Sequence, residues 1–190
     1  MINWVNRYKV LKKNNLFSKD DFTIVPIRYE DRYKIMKWRN EQMYHLRQNK
    51  TLTKKNQDDY FLNIIRSQFD EEKPNQVLFS FLEKNVCIGY GGLVHMNWID
   101  KNAELSFIME TKLEDLYFDF YWSNFIFLIK KIAFNNLGLK KIYVYSYDLR
   151  EKLYKTLLNN KFKEEARLKS HYMFNENYVD VYIHSLFNEK

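Results

Sequence analysis

The residues best suited to proton transfer in this chain are Glu104 and His95. Glu104 lies in an alternating run, residues 103–110, where it shares one face with Ser106, Ile108 and Glu110. A carboxylate so placed can take the proton from an ammonium and free its nitrogen to attack; a structural ion pair is the other reading. His95 closes a Gly-Gly-Leu-Val-His run. A histidine's titration range suits the same role, the binding of a reaction partner, or a purely structural bond. A second group, Arg39, Asn40, Arg47 and Gln48, is cationic and amide-rich. Its guanidinium groups can grip phosphates with paired hydrogen bonds, while Arg39 and Asn40 can equally brace a helix. Arg150 can meet a phosphate or form a salt bridge on a helix surface. His45, His95, His171 and His184 lack paired ligand spacing, so no metal site is expected.

The surroundings of these groups are basic. A formal charge of +7 over 190 residues, with a pI near 9.2, favours acidic partners such as phosphate-rich cofactors or nucleotide-linked substrates. Aromatic residues make up 18% of the chain, but they fall at core periodicities among the basic residues, which speaks against a nucleic-acid surface. Cys87 is the single cysteine, so no intrachain disulfide can form, and its apolar run marks it as a small buried hydrophobe. The start of the chain, MINWVNRYKVLKKNNLF, lacks the apolar core of a signal peptide, and no run reaches the ~18 apolar residues of a membrane span. A cytoplasmic protein without a membrane span is expected.

The elements that must position these groups follow from periodicity and punctuation. Residues 1–20 read as an amphipathic N-terminal extension, and 21–190 as one domain. A first strand is predicted over 22–28, with Pro26 favouring an edge or an irregularity. Glu30 and Asp31 then open a helix to about Gln42, and Thr53 caps a second carrying Tyr60, Phe61, Ile64, Ile65 and Phe69. Runs at 77–83, 86–96 and 103–110 read as an antiparallel meander. A long helix follows, with Tyr121, Phe125, Leu128, Ile129, Ile132 and Ala133 on one stripe and Gly138 as its stop. A strand over 140–146 precedes a helix opened by a capping box from Asp148 to Glu151. Strands at 162–169 and 178–187 close the chain as a hairpin across Asn175, Glu176 and Asn177. The order β-α-α-β-β-β-α-β-α-β-β specifies an α/β protein with a mixed central sheet of about seven strands and flanking helices.

That order resembles the GNAT acetyltransferase fold, and particular stretches sharpen the likeness over about residues 22–187. PIRYEDRYKIMKWRNEQMYHLRQNKTLTKKNQDDYF is similar to the opening of GNAT enzymes that acetylate nucleotide-linked aminosugars of the pseudaminic-acid type, through Trp38, Arg39, Asn40 and Thr53. CIGYGGLVHMNWIDKNAELSFIME resembles the central strands of that group and of the ribosomal-protein N-terminal acetyltransferases, through Ala103, Glu104 and Leu105. The closing stretch matches at Phe162, Glu165, Arg167, Leu168, Val179 and Asp180. Two departures stand out. The glycine-rich pyrophosphate loop of the family is replaced by ETKLEDLYFDFYWSN, which has no glycine and carries Glu114, Asp115 and Asp119; Lys161 and Ala166 replace two glycines of the closing pattern.

The resemblance implies an acetyl-CoA-dependent N-acetyltransferase acting by direct transfer, without metal. The acceptor it implies is a small-molecule primary amine, on a nucleotide-linked aminosugar destined for surface glycans. It implies that main-chain atoms of Phe107, Ile108 and Met109 hold the cofactor arm and that Glu104 is the base; beside it His95 is the alternative base or an acceptor-binding group, and Arg150 is the candidate for a CoA phosphate or a salt bridge. The family's thiolate-protonating tyrosine is replaced by Leu157, and Tyr154, one turn earlier on the same helix face, is the substitute candidate. Arg39, Asn40, Arg47 and Gln48 form the acceptor side. Two alternatives stay open: acetylation of protein N-terminal amines, and a non-catalytic GNAT-like binding module. A homodimer is compatible with all of these.

Overall fold

The computed structural model describes residues 4–189. Strands β1 (Phe17–Lys19) and β2 (Phe22–Pro26) lead into helix α1 (Arg32–Glu41). Helix α2 (Lys54–Tyr60) continues through a π turn, Phe61–Ile65, into α3 (Arg66–Gln68). The meander β3 (Val77–Glu83), β4 (Val86–Asn97) and β5 (Asn102–Met109) precedes the long helix α4 (Thr111–Lys130). Strand β6 (Lys141–Tyr147), helix α5 (Glu151–Asn159) and the hairpin β7 (Lys163–Phe174) and β8 (Asn177–Phe187) complete the order. Among the described residues eight strands form one mixed sheet, β1-β2-β3-β4-β5-β6-β8-β7, in which only β5 and β6 run parallel. The expected α/β architecture is therefore observed, with β1 as an eighth strand.

The core explains why these segments take these forms. Strand β3 is buried along almost its whole length and reads as a continuous apolar run, as a central strand covered on both faces must. Helix α4 presents Phe125, Ile126, Leu128 and Ile129 to the sheet, and the Phe125 ring stacks on Phe107 of β5 with centroids 4.0 Å apart. Its exit runs through a π turn, Lys131–Asn136, and stops at Gly138, whose φ of +64° suits glycine. Thr53 caps α2 in a reciprocal box with Asn56. Among the described residues no helix is long and apolar enough to cross a membrane.

The described part of residues 1–20 packs on the domain: Tyr8 and Leu11 are buried, and the Tyr8 hydroxyl joins both the N–H and C=O of Leu78, each at 2.9 Å. Two local expectations change. No Asp148–Glu151 capping box forms. The residue before α5 is Arg150, with φ −139° and ψ 70°, and Asp148 instead accepts the Tyr154 hydroxyl at 3.0 Å. Strand β7 runs to Phe174, well past residue 169, because an irregularity at Ser170 is held by the Asp180 carboxylate, which accepts from the Ser170 N–H at 2.7 Å. The turn is then Asn175-Glu176, both at positive φ, the geometry a two-residue hairpin requires.

Candidate active site

The sheet opens where its single parallel pair ends. Strand β5 pairs with β6 only from Asn102 to Glu104, opposite Lys141 to Tyr143. Beyond that point β5 stays with β4 as far as Met109, and β6 stays with β8 as far as Tyr147, so the two diverge. The fork holds a cleft of about 290 Å³ whose walls include Phe107, Trp122, Val144 and Leu153 and whose acidic, basic and imidazole side chains are Arg39, His45, Arg47, His95, Glu104 and Arg150. Behind β5, Gly91 keeps the wall flat: a Cβ there would come 2.2 Å from the Ser106 carbonyl oxygen.

Glu104 sits at the apex of the fork, buried at 5% exposure. Its Oε2 meets His95 Nδ1 at 2.9 Å, and its Oε1 accepts from Arg47 Nη2. His95 reaches it because β4 is irregular between Val94 and Asn97; His95 there has φ +49°, and such a bulge re-aims its side chain. Arg47 arrives from the loop after α1, with its guanidinium over the Tyr145 ring at 4.8 Å. The predicted base candidates and one predicted acceptor-side arginine thus converge on one carboxylate.

Asn40 and Gln48 are placed differently. The Asn40 side chain is spent on the loop: it donates to Leu52 O at 2.9 Å and accepts from Leu52 N and from Gln48 Nε2. Gln48 Oε1 accepts from Arg39 Nε at 2.9 Å, and Arg39 Nη1 donates to the Tyr90 hydroxyl at 2.7 Å. Arg39 lines the cleft, whereas the two amides brace the loop that delivers Arg47.

Tyr154 is not on the cleft wall. Its hydroxyl donates towards Tyr147 O and Asp148 Oδ1, and its ring stacks on His184. Burial, reinforced by Asp148, pushes its pKa above the ordinary tyrosine value. Its helix neighbour Leu153 faces the cleft instead, since adjacent helical residues point about 100° apart. Of the three expected cofactor-strand residues, Phe107 lines the cleft, while Ile108 and Met109 are buried beside it. The Met109 carbonyl is already engaged, accepting from Gln42 Nε2 at 2.8 Å.

At the other end of the cleft Arg150 is buried. Its Nη2 donates to Glu114 Oε1 at 2.8 Å, its Nη1 donates to His45 Nδ1 at 3.2 Å, and its guanidinium lies over the Phe118 ring. Accepting at Nδ1 leaves the His45 proton on Nε2, facing Gln42 Oε1 at 3.3 Å. Burial, with the Arg150 charge adding to it, lowers the His45 pKa to about 2 and keeps the ring neutral. The Cys87 thiol is buried and pushed up to about 12, chiefly by desolvation, as a structural cysteine should be. Among the described residues no group of three or more His, Cys, Asp and Glu could hold a metal ion.

A model of the GNAT acetyltransferase domain matches residues 24–183. The chain belongs to the GNAT acetyltransferase family. It is accordingly an N-acetyltransferase with acetyl-CoA as its acetyl donor. No curated protein matches the chain. Among solved structures it is similar to a spermidine N-acetyltransferase from Vibrio cholerae in complex with CoA and spermine, with a TM-score of 0.79 and 19% identity over 90% of this chain and 98% of that one. A dodecameric form of the Vibrio cholerae enzyme gives a TM-score of 0.72 at 18% identity, covering 89% and 95%. A probable acetyltransferase gives 0.71 at 17% identity, covering 91% and 97%.

The cleft fits acetyl-CoA unevenly. Two donors on its walls, Trp122 Nε1 and Arg150 Nε, are buried without a hydrogen-bond partner. Native interiors seldom leave donors orphaned, so this wall calls for a ligand with acceptor oxygens, as the amides and phosphates of CoA supply. The glycine-free loop does not follow the family's phosphate cradle: residues 111–116 form a helical turn, and Glu114 projects from it onto Arg150. His45, Trp122 and Glu114 were not among the predicted site residues. The only sequence signal for them was the acidic residue in a loop where acid is unwelcome.

Proposed function

We propose that this N-acetyltransferase acts on the primary amine of a small molecule that also carries anionic groups, a nucleotide-linked aminosugar being the type. Acetyl-CoA supplies the acetyl group as a thioester. The edge of β5 at residues 105–107, unpaired across the fork, offers main-chain donors and acceptors to the cofactor arm as an added strand would find them. Glu104, buried at the apex, takes the proton from the acceptor ammonium, and His95, exposed at the mouth, passes it to solvent. Arg39 and Arg47 hold the acceptor's anionic part, and Asn40 and Gln48 position the loop that carries Arg47.

The observation that carries this reading is the charge of the cleft around Glu104. Of its three guanidinium groups, Arg47 pairs with Glu104 and Arg150 with Glu114, which leaves Arg39, bonded among the described residues only to the neutral Gln48 and Tyr90, as the cation without a carboxylate partner. Like charges about 4 Å apart repel by about 4 kcal/mol at an effective dielectric of 20. A second ammonium of a polyamine would thus be repelled where it neared Arg39, whereas a phosphate would be drawn there. The spermidine enzymes of similar fold share too little sequence for their acceptor to be carried over.

The test is acetyl-CoA turnover with four acceptors: a nucleotide-linked aminosugar, the free aminosugar, spermidine and a peptide N-terminus. The nucleotide-linked form should turn over, and the free sugar should lose mainly through a raised KM. Turnover of spermidine alone would overturn the charge argument, and turnover of the peptide alone would move the acceptor to protein N-termini.

A further inference from the structure

The Glu114–Arg150 pair is anomalous for a structural salt bridge. Both side chains are almost fully buried, yet Glu114 Oε2 and Arg150 Nε have no partner. A buried ion pair offsets its desolvation only when the remaining polar atoms are also satisfied. Here they are not, although Arg150 lies 5.0 Å from the Phe118 ring centroid and Lys152 4.7 Å from it, which together make a cationic seat. Lys152 Nζ also donates to the Glu114 carbonyl at 3.1 Å.

The segment bearing Glu114 is not continuous with the rest of α4. Tyr117 has φ −135° and ψ 30°, which breaks the helix between residues 111–116 and the packed part beyond. Leu116 and Tyr117 are exposed on the outer side of that break, at 73% and 54%. A short turn joined through a non-helical residue can move without unpacking Phe118, Trp122 and Phe125, which are buried.

We propose that Glu114 is a resident anion that occupies, in the free enzyme, the Arg150–Lys152 seat for a phosphate of acetyl-CoA. Cofactor entry moves residues 111–116 about Tyr117, exchanges carboxylate for phosphate on Arg150, and supplies acceptors to the orphaned Arg150 Nε. This rests on acetyl-CoA being the donor. The loop thereby does without the family's glycines, because its phosphate ligands are side chains rather than main-chain amides. Glu114 guards a buried cation that would otherwise stand unpaired.

Calorimetry of CoA, and of pantetheine as the phosphate-free probe, on wild type, Glu114→Gln and Arg150→Met tests the exchange. If the open form is about a tenth of the free enzyme, Glu114→Gln should tighten CoA about tenfold, and pantetheine not at all. Arg150→Met should weaken CoA and leave pantetheine unchanged. Unchanged or weaker CoA binding by a folded Glu114→Gln protein would make the pair purely structural and overturn the proposal. Equal tightening of both probes would mean only a widened cleft, and would overturn it too. Hydrogen exchange on the wild type keeps the question answerable if the variant does not fold: CoA should alter protection of residues 111–117, and no change there overturns the exchange. Failure of wild type and Glu114→Gln alike to bind CoA would instead remove the donor assignment, and the proposal with it.

Discussion

The two ends of the cleft use the same pair, a buried glutamate on an arginine, to opposite effect. At the apex, Glu104 is buried, but its partners are open: the Arg47 side chain is 48% exposed and His95 60%. At the far end Glu114 and Arg150 are both buried, at 4% and 6%. Solvent screens the first pair, so its members can part and serve a reaction with little cost. The second lies in a low-dielectric site where separation without a replacement anion costs several kcal/mol. An exposed partner makes a carboxylate usable; a buried one makes it a stopper.

The sharpest break in that comparison comes at the apex. Glu104→Gln preserves shape but removes the proton acceptor, and turnover should fall by about 10²–10⁴ with acetyl-CoA affinity retained. The loss should shrink as pH rises towards the pKa of the acceptor amine, where free base arises unaided. His95→Gln is the comparison: if it alone loses turnover with that pH rescue, the imidazole is the base and Glu104 only orients it. Steady-state kcat across pH separates the two.

Next in size is the acceptor side. Arg39→Ala and Arg47→Ala should each raise KM for an anionic acceptor while leaving CoA binding intact. Asn40→Ala should act in the same direction as Arg47→Ala through the loop it braces, by about tenfold or less. A double substitution of Asn40 and Arg47 should then cost little more than Arg47→Ala alone, since the two act as one unit. Full additivity in the double-mutant cycle would show that Asn40 acts independently of the loop.

The deep end can be read through pH. His45 titrates near 6.5 in the unfolded chain and is lowered to about 2 in the folded one by burial and Arg150. As pH falls below 6.5 the unfolded chain binds a proton that the folded chain refuses, so this contribution to stability is present above about 6.5 and drains away towards pH 2. Its slope is at most about 1.4 kcal/mol per pH unit. His45→Gln should flatten the acid limb of a urea-midpoint profile relative to wild type; parallel profiles would show that His45 is solvated when folded.

The contrast between the two ends also marks how far the sequence was readable. Strand order, the long helix and the apex were legible because each rests on local periodicity or on a motif whose spacing survives in the fold: residues 103–110 alternate, and Glu104 follows from that alternation. The bulge that brings His95 to Glu104 was not legible, since a positive φ at a histidine leaves no compositional trace. Nor was the role of Glu114, which depends on Arg150, 36 positions away. The irregularity that lengthens β7 depends on Asp180 reaching back to Ser170, again a tertiary bond rather than a local preference.

The smallest expected effect concerns Tyr154, the one predicted catalytic side chain that lies off the cleft. A group that protonates a departing thiolate must reach it and must give up its proton readily. The Tyr154 hydroxyl is held by the Tyr147 carbonyl and the Asp148 carboxylate, and its pKa is raised, so it meets neither condition. Tyr154→Phe should therefore leave kcat within about a factor of two of wild type and cost about 1 kcal/mol of stability for the lost hydrogen bonds, the ring stacking on His184 being retained. A loss of kcat beyond tenfold with unchanged stability would return Tyr154 to the reaction and require α5 to rotate towards the cleft when the cofactor binds. Leu153→Ala distinguishes the two arrangements: as a cleft-wall residue it should disturb CoA binding more than Tyr154→Phe does.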